Sequence, residues 1–344
     1  MKTSSALTIF ILMFFILTAG CASNPCPCYP PSYYDPEPGA PNTAEETFVS
    51  ASDGAQLVGT LTLPSDVAPP FPAVILISGS SPQDRDMMSV RFEPACFYRP
   101  FRQIADLLSR QGIAVLRMDD RGVGCSGGGP LTQATTADRA DDIRAGLNYL
   151  RKHEKIDDKR IKLLDLSEGS TIGTMIAATD PTICALVLMA VRAGDSWKIL
   201  VHKKLYEVER KEGLTDADRD RIEAELLHWL DQYLSSGKAS PWFEFFINYD
   251  PLLDARKVSC PVLILHGDRD ASTPFEHAHT TAEAMRSGGN KDVTVKILTD
   301  HSHIFLEDRD GRKSGYLELV KHTNQLSEFV LTIIMDWVTS RLSP

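Results

Sequence analysis

A serine at the end of an apolar run is the first residue of this sequence that could do chemistry. Residues 161–166 lead into Ser167, and a helix-compatible segment starts at Glu168 and Gly169. A strand, a serine and a helix in this order favour a sharp turn that exposes the serine hydroxyl at the strand end. Ser167 is therefore a candidate nucleophile, although a serine beside glycine is also common as a helix cap.

Candidate acids and bases follow two later strands. The strand 261–265 is followed by Asp268 and Asp270, and the strand 293–298 is followed by His301 and His303. A nucleophilic serine needs an imidazole that takes its proton and a carboxylate that orients the imidazole. Along the chain the serine comes first, the aspartate second and the histidine third. The intervals between them leave room for an inserted segment before the aspartate and for one strand after it.

This order and its placement resemble the α/β-hydrolase superfamily, in particular its dienelactone hydrolase and acyl-peptidase-like esterases, from about Thr47 onward. Residues 72–86, PAVILISGSSPQDRD, resemble the family's strand and oxyanion turn, and residues 119–126 are similar to its D-x-R-G-x-G-x-S loop. The resemblance implies that Ser167 is the nucleophile, and it prefers Asp270 over Asp268 as acid and His303 over His301 as base. It also implies an oxyanion hole formed by backbone N–H groups of Ser80 and Glu168, and no cofactor.

Two positions depart from the family pattern. Asp165 stands where the family has the first glycine of G-x-S-x-G, and Ser78 stands before Gly79 where the family usually has histidine. Asp165 must either occupy a polar gap or strain the turn. We favour the polar gap, from which the carboxylate would stabilise the imidazolium form of His303.

The elements that must position these residues alternate between strand and helix patterns. An opening hairpin is predicted over 47–51 and 56–63, with Asp53 and Gly54 in its turn. Buried parallel strands are predicted at 73–77, 113–118, 161–166, 184–190, 262–265 and 293–298, and helices at 98–111, 138–153, 167–178, 275–286 and 316–341. The pattern predicts an α/β-hydrolase fold, a mostly parallel sheet flanked by helices.

A charged, helical insertion at about 196–245 interrupts this alternation and is predicted to form a cap on a domain spanning 45–344. Its charges are typical of a solvated helix face. Its aromatic residues could pack the cap onto the core or line an acyl pocket, and periodicity does not choose between these roles. They are Trp197, Trp229, Tyr233, Trp242, Phe243, Phe245 and Phe246.

The first 20 residues have the pattern of an export signal. Lys2 precedes an apolar stretch from Ala6 to Ala19, too short to cross a bilayer comfortably. Leu17 to Cys21 resembles a bacterial lipobox, which implies lipid attachment at Cys21 and a membrane anchor; cleavage by ordinary signal peptidase is the alternative. The Pro-rich residues 21–44 are predicted to be a stiff, extended tether. Ala22 favours the outer membrane by the same resemblance.

Charge and cysteine content restrict the class further. The formal net charge of −10 argues against a nucleic-acid binder. The seven cysteines lack the paired spacing of a metal site, and their disulfide connectivity does not follow from sequence. We therefore expect a lipid-anchored hydrolase of carboxylic esters, with a small or medium acyl group, that acts through an acyl-enzyme. Acyl-peptide or amide hydrolysis is one alternative, and a catalytically inactive scaffold or binding module is another.

Overall fold

The computed structural model describes residues 28–36, 39–88, 98–212, 214–308, 319–320 and 323–342. The predicted signal peptide, residues 1–20, and the predicted lipid site Cys21 lie outside the described residues. Among the helices within these ranges, none is both long and apolar enough to cross a membrane.

A single eight-stranded sheet runs through the domain in the order β1-β2-β4-β3-β5-β6-β7-β8. β1 pairs with β2 and β2 with β4 in antiparallel fashion, and all other neighbours are parallel. The opening hairpin and the predicted parallel strands are confirmed, except that the strand at 293–298 lies at the edge of the sheet and is buried only at its two end residues. The strands are β1 (Asn42–Ser50), β2 (Gln56–Pro64), β3 (Phe71–Ile77), β4 (Ala114–Met118), β5 (Ile156–Leu166), β6 (Ala185–Met189), β7 (Val262–Gly267) and β8 (Val293–Leu298).

Helices pack on both faces of this sheet. Alternate residues of β3 point to opposite sides: Ile75 joins one apolar cluster and Leu76 the other, as expected for a strand buried on both faces. The helices are α1 (Pro100–Ser109), α2 (Thr136–Lys152), α3 (Glu168–Ala177), α4 (Ser196–Glu212), α5 (Asp216–Ser235), α6 (Pro241–Asn248), α7 (Leu252–Ala255), α8 (Glu276–Ser287) and α9 (Glu328–Thr339). The architecture agrees with the predicted α/β-hydrolase fold.

The insertion predicted as a cap consists of α4, α5 and α6. Thr215 forms a capping box with Asp218 at the start of α5, which explains why a helix begins inside so charged a segment. Trp229 stacks on Tyr233 with ring centroids 5.2 Å apart, and both contact Phe243. These aromatic rings therefore pack the helices of the insertion against one another.

The described part of the predicted tether is not extended. Residues 28–36 include a 3-10 turn at Pro31–Tyr34, and the Tyr34 side chain is buried beneath the guanidinium of Arg85, 4.1 Å from the ring centroid. A disulfide joins Cys28 to Cys125 in the loop after β4. This segment differs from the expected tether because its tyrosine rings find a packed site on the domain, and β1 begins at Asn42.

Candidate active site

Ser167 occupies a sharp turn between β5 and α3. Its backbone has φ 57° and ψ −117°, which is a strained conformation for a residue with a side chain. Gly169 makes the close approach at this turn possible, and Gly79 lies next to the serine. A Cβ at Gly169 would lie 2.3 Å from the carbonyl oxygen of Ile77, and a Cβ at Gly79 would lie 3.4 Å from Cβ of Ser167. The loop after β3 and the start of α3 therefore approach the serine closely.

Asp165 is accommodated in this turn, but not in a polar gap. It is fully buried, neither carboxyl oxygen has a hydrogen-bond partner among the described residues, and the carboxyl lies against Gly173 of α3. A Cβ at Gly173 would lie 1.7 Å from Oδ2 of Asp165. In the family pattern a glycine on the strand leaves space at this contact. Here Asp165 occupies the strand position, and Gly173 on the helix leaves the space instead.

The expected effect of Asp165 on His303 is wrong for the same reason. Burial raises the pKa of Asp165 well above its ordinary value, because an ionised carboxylate without partners is costly in an apolar interior. Its uncharged form is favoured, and an uncharged carboxyl does not stabilise an imidazolium.

The structure brings Ser167, His303 and Asp270 into one hydrogen-bonded line. Nε2 of His303 lies 3.0 Å from Oγ of Ser167, and its Nδ1 lies 2.7 Å from Oδ2 of Asp270. Ser167 follows β5, Asp270 follows β7 and His303 follows β8, so the carboxyl ends of three strands supply the three side chains. The geometry permits a proton to move from the serine to the imidazole.

Asp270 is held as a carboxylate. Burial opposes its ionisation, but the charge of His303 and hydrogen bonds from His266 and His303 outweigh burial and lower the pKa of Asp270. Its Oδ1 also accepts the backbone N–H groups of Ser272 and Thr273 at 2.7 and 2.8 Å. A carboxylate fixed at both oxygens can orient an imidazole.

The alternative residues, Asp268 and His301, have other contacts. Oδ1 of Asp268 accepts the backbone N–H of Asp300 at 2.7 Å. Nδ1 of His301 lies 2.7 Å from the carbonyl oxygen of Thr299, and its Nε2 lies 3.1 Å from Oγ of Ser327. Both residues shape the loop that carries His303 rather than contacting Ser167.

Two backbone N–H groups, those of Glu168 and Ser80, are implied as an oxyanion hole by the family resemblance. Glu168 is the first residue of α3, so its N–H has no acceptor within the helix. Ser80 follows Gly79, whose own N–H donates to Oε1 of Gln83 at 2.9 Å. Within the described ranges, no acceptor contacts the Ser80 N–H. Neither N–H group has an acceptor among the described residues, and their role as an oxyanion hole stays a prediction.

A buried ionic bridge, which the sequence did not indicate, connects these two segments. Arg139 of α2 donates to Asp120 and to Glu168, at 3.0 Å in each case. Burial opposes its charge, yet the two carboxylates raise the pKa of Arg139. Oγ of Ser78 donates to Asp120 at 2.6 Å. The bridge therefore ties the loop after β3 to the residue after Ser167.

The insertion contacts the same bridge. Nε1 of Trp242 on α6 donates to Oε1 of Glu168 at 2.9 Å, and Thr136 donates to the same oxygen at 2.6 Å. Trp242 thus links the cap to the residue that follows the nucleophile. As for metals, the described residues contain no group of three or more His, Cys, Asp or Glu side chains that could hold an ion.

Two family models match separate parts of the chain. The model for serine aminopeptidase, S33, matches residues 97–211, and that for the dienelactone hydrolase family matches residues 239–329. The first contains Ser167, and the second contains Asp270 and His303. The two matches therefore cover the segments that supply the three hydrogen-bonded side chains.

Individual proteins show the same similarity. The chain is 24% identical to the Thermotoga maritima esterase EstD over 315 residues, 90% of this chain and 69% of the relative. It is 28% identical over 211 residues, 54% of this chain and 72% of the relative, to an Escherichia coli protein described only as a 31.7 kDa protein in the traX-finO intergenic region. The crystal structure of the α/β hydrolase GrgF from Penicillium covers 87% of this chain and 99% of its own, at TM-score 0.58 and 19% identity. The chain has the α/β-hydrolase fold, and its sequence similarity lies with the hydrolases and esterases of that fold.

Proposed function

We propose that this protein is a serine hydrolase that cleaves carboxylic esters through an acyl-enzyme. The observation that carries the proposal is the line of contacts from Ser167 through His303 to Asp270, at 3.0 and 2.7 Å. The strained turn at Ser167 and the named esterase relative support it. No cofactor is part of the proposal.

In the proposed mechanism, His303 takes the hydroxyl proton as Ser167 attacks the ester carbonyl. The negative charge that develops on the carbonyl oxygen is stabilised by the N–H groups of Ser80 and Glu168, each worth about 3 kcal/mol in comparable sites. His303 then protonates the leaving alcohol. Water, activated by the same imidazole, releases the acid and restores Ser167. Asp270 remains ionised and stabilises the imidazolium in both steps.

Acyl-peptide or amide hydrolysis is the second candidate. It is favoured by the match of the serine aminopeptidase model to residues 97–211, which include the nucleophile. The same Ser167, His303 and Asp270 would act on either bond, since both reactions are acyl transfers. The leaving group distinguishes them, because an amine leaves less readily than an alcohol without protonation.

A panel of chromogenic substrates separates the candidates. Esters of acyl chains from two to twelve carbons are compared with aminoacyl anilides, for the wild type and Ser167→Ala. We expect the wild type to hydrolyse the esters and Ser167→Ala to lose this activity. Turnover of anilides alone would favour the peptidase. A folded wild type inactive on every substrate would favour the inactive scaffold or binding module.

We also propose export and lipid attachment at Cys21. The apolar stretch before Cys21 supports it, and so does the Cys28–Cys125 disulfide, because such bonds persist in oxidising compartments. Ala22 favours the outer membrane as the anchoring site. Mass spectrometry of the mature N-terminus, for protein produced in a bacterium with an inner and an outer membrane, tests this proposal. An unmodified N-terminus beyond residue 21 would contradict it.

A further inference from the structure

A second histidine contacts the carboxylate that orients His303. Nε2 of His266, in β7, lies 3.0 Å from Oδ2 of Asp270, the same oxygen that Nδ1 of His303 contacts. The His266 side chain is fully buried. Two imidazoles therefore share one carboxylate oxygen, and only one of them touches Ser167.

The contacts of His266 fix the position of its proton. Its Nε2 also lies 3.2 Å from the carbonyl oxygen of Thr273. Both neighbours of this nitrogen are acceptors, so Nε2 must carry a hydrogen that it donates. Nδ1 is buried and has no partner among the described residues. The environment thus selects the neutral tautomer with its proton on Nε2 and directs that proton at Asp270.

We propose that His266 is a positioning residue that sets the pH range in which His303 works as a base. Its hydrogen bond holds the Asp270 carboxylate in place and disperses part of the negative charge that His303 faces. His266 does not contact Ser167 and transfers no proton to substrate. The inference rests on the proposed hydrolase function.

Other titratable groups face Asp270 from the cap and from α8. His202, Lys203 and Tyr206 lie on α4, and Nε2 of His202 contacts the carbonyl oxygen of Asp270 at 2.9 Å, not the carboxylate. His277 of α8 accepts the backbone N–H of Ala193 at 3.2 Å.

His202 and His277 contribute little charge near neutral pH. Burial lowers the pKa of His202 and that of Lys203, and it lowers the pKa of His277 to about 4. Among the described side chains, His266 and His303 are the two that donate to the Asp270 carboxylate.

Loss of the hydrogen bond from His266 should shift the pH dependence of activity in one direction. Without it, the negative charge of Asp270 is concentrated on the oxygen that faces His303, so the imidazolium form is favoured. His303 must be neutral to accept the serine proton, and activity therefore begins at higher pH. We expect the midpoint of the acid limb of the kcat/KM profile to move up by about 0.5 to 1 pH unit.

Two substitutions of His266 by side chains of similar length distinguish the effect of the hydrogen-bond donor from the effect of side-chain volume. His266→Gln keeps an N–H that can reach Asp270, whereas His266→Met fills the space without a donor. The pH dependence of kcat/KM for ester hydrolysis is measured for both and for the wild type. We expect the Met variant to show the upward shift and the Gln variant to return to within about 0.3 pH unit of the wild type.

A spectrum of the wild type tests the inference even if a variant does not fold. Two-bond ¹H–¹⁵N correlations of the His266 ring at neutral pH report its tautomer, and we expect the proton on Nε2. A proton on Nδ1 alone, or an unshifted profile in a folded, active Met variant, would overturn the role of His266. A wild type without hydrolytic activity would instead contradict the proposed function, whatever the tautomer.

Discussion

His303 is the side chain that connects the other two members of the site, because each of its ring nitrogens has one of them as a neighbour. His301, two residues earlier, has both nitrogens occupied by its own loop and by Ser327. Sequence reasoning selected His303 through family resemblance. The physical difference between the two histidines is visible only in the folded contacts.

Replacing these histidines should therefore have unequal effects. We expect His303→Ala to lower kcat/KM for esters by about 10⁴-fold or more, because the serine loses its base. His301→Ala should retain most of the turnover and lose stability instead, because it breaks loop contacts. Steady-state kinetics with melting curves for both variants provide the measurement. An inactive His301→Ala beside a fully active His303→Ala would show that the base was assigned to the wrong residue.

Two residues that sequence reasoning missed, His266 and Arg139, differ in how far away their partners lie in the chain. His266 contacts Asp270, four residues later, whereas Arg139 joins Asp120, in the loop after β4, to Glu168, the first residue of α3. No periodicity or motif marks Arg139, since its charge is typical of a helix surface. Its burial depends on how α2 packs against the sheet.

Strand β5 and helix α3 illustrate how two elements compensate for an unusual residue. Asp165 on the strand lies against Gly173 on the helix, eight residues apart in the chain. Sequence reasoning identified Asp165 as a departure and expected a polar environment for it. It missed Gly173, because a glycine inside a helix gives no indication of which strand residue it faces.

A double-mutant cycle tests this compensation. Gly173→Ala would place a Cβ 1.7 Å from Oδ2 of Asp165, and we expect it to cost about 1 to 3 kcal/mol of unfolding free energy by overpacking. In the Asp165→Gly background the same change should be neutral or stabilising, because alanine is the better helix former. Denaturant unfolding of the four proteins measures the coupling. Equal costs in both backgrounds would show that the two residues do not compensate.

The buried carboxyl of Asp165 should also make stability depend on pH. Its pKa is raised in the folded state, so above the unfolded value of about 3.9 the unfolded chain has lost a proton that the folded protein keeps. Folding stability is therefore lost as pH rises through this window, by about 1.4 kcal/mol per pH unit.

The test compares Asp165→Asn, which cannot ionise, with the wild type. We expect the variant's advantage in unfolding free energy to grow as pH rises from 4. Asp158→Asn, at an exposed position of the same strand, is the matched control. A difference between Asp165→Asn and wild type that stays constant with pH would refute the buried, protonated carboxyl.

At the scale of the whole molecule, residues 28–36, which precede the sheet, pack on the domain. The disulfide between Cys28 and Cys125 closes a separation of 97 residues, and Arg99 stacks over Tyr33 with 4.1 Å between guanidinium and ring centroid. The sequence predicted an extended tether here because proline-rich segments build no core of their own. Tyr34 is buried on a surface formed by the loops after β3 and β4. This burial could not be inferred from the sequence of the segment itself.

Removing this covalent link should destabilise the domain. We expect Cys125→Ser to lower the unfolding free energy by about 2 to 4 kcal/mol, as is typical when a native disulfide is lost. A reductant should lower the melting temperature of the wild type and leave that of Cys125→Ser unchanged. If the reductant affected both proteins equally, the Cys28–Cys125 bond would not be the source of the stabilisation.

The sheet itself was predictable from sequence, since its buried strands are continuous apolar runs separated by helical patterns. The ends of β5, β7 and β8 indicated where the nucleophile, the acid and the base would lie. The family resemblance then selected Ser167, Asp270 and His303 among the nearby candidates. The ionic bridge through Arg139 and the contact of Trp242 with Glu168 were not predictable, because they join segments that are far apart in the chain.

The central claim is that Ser167 is an activated nucleophile, and a fluorophosphonate probe tests it most directly. Such a probe reacts covalently with a serine that a neighbouring base activates. We expect the wild type to gain one adduct, which peptide mapping places on Ser167, whereas Ser167→Ala remains unlabelled and His303→Ala reacts much more slowly. A folded wild type that gains no adduct, or an adduct on another serine, would contradict the account.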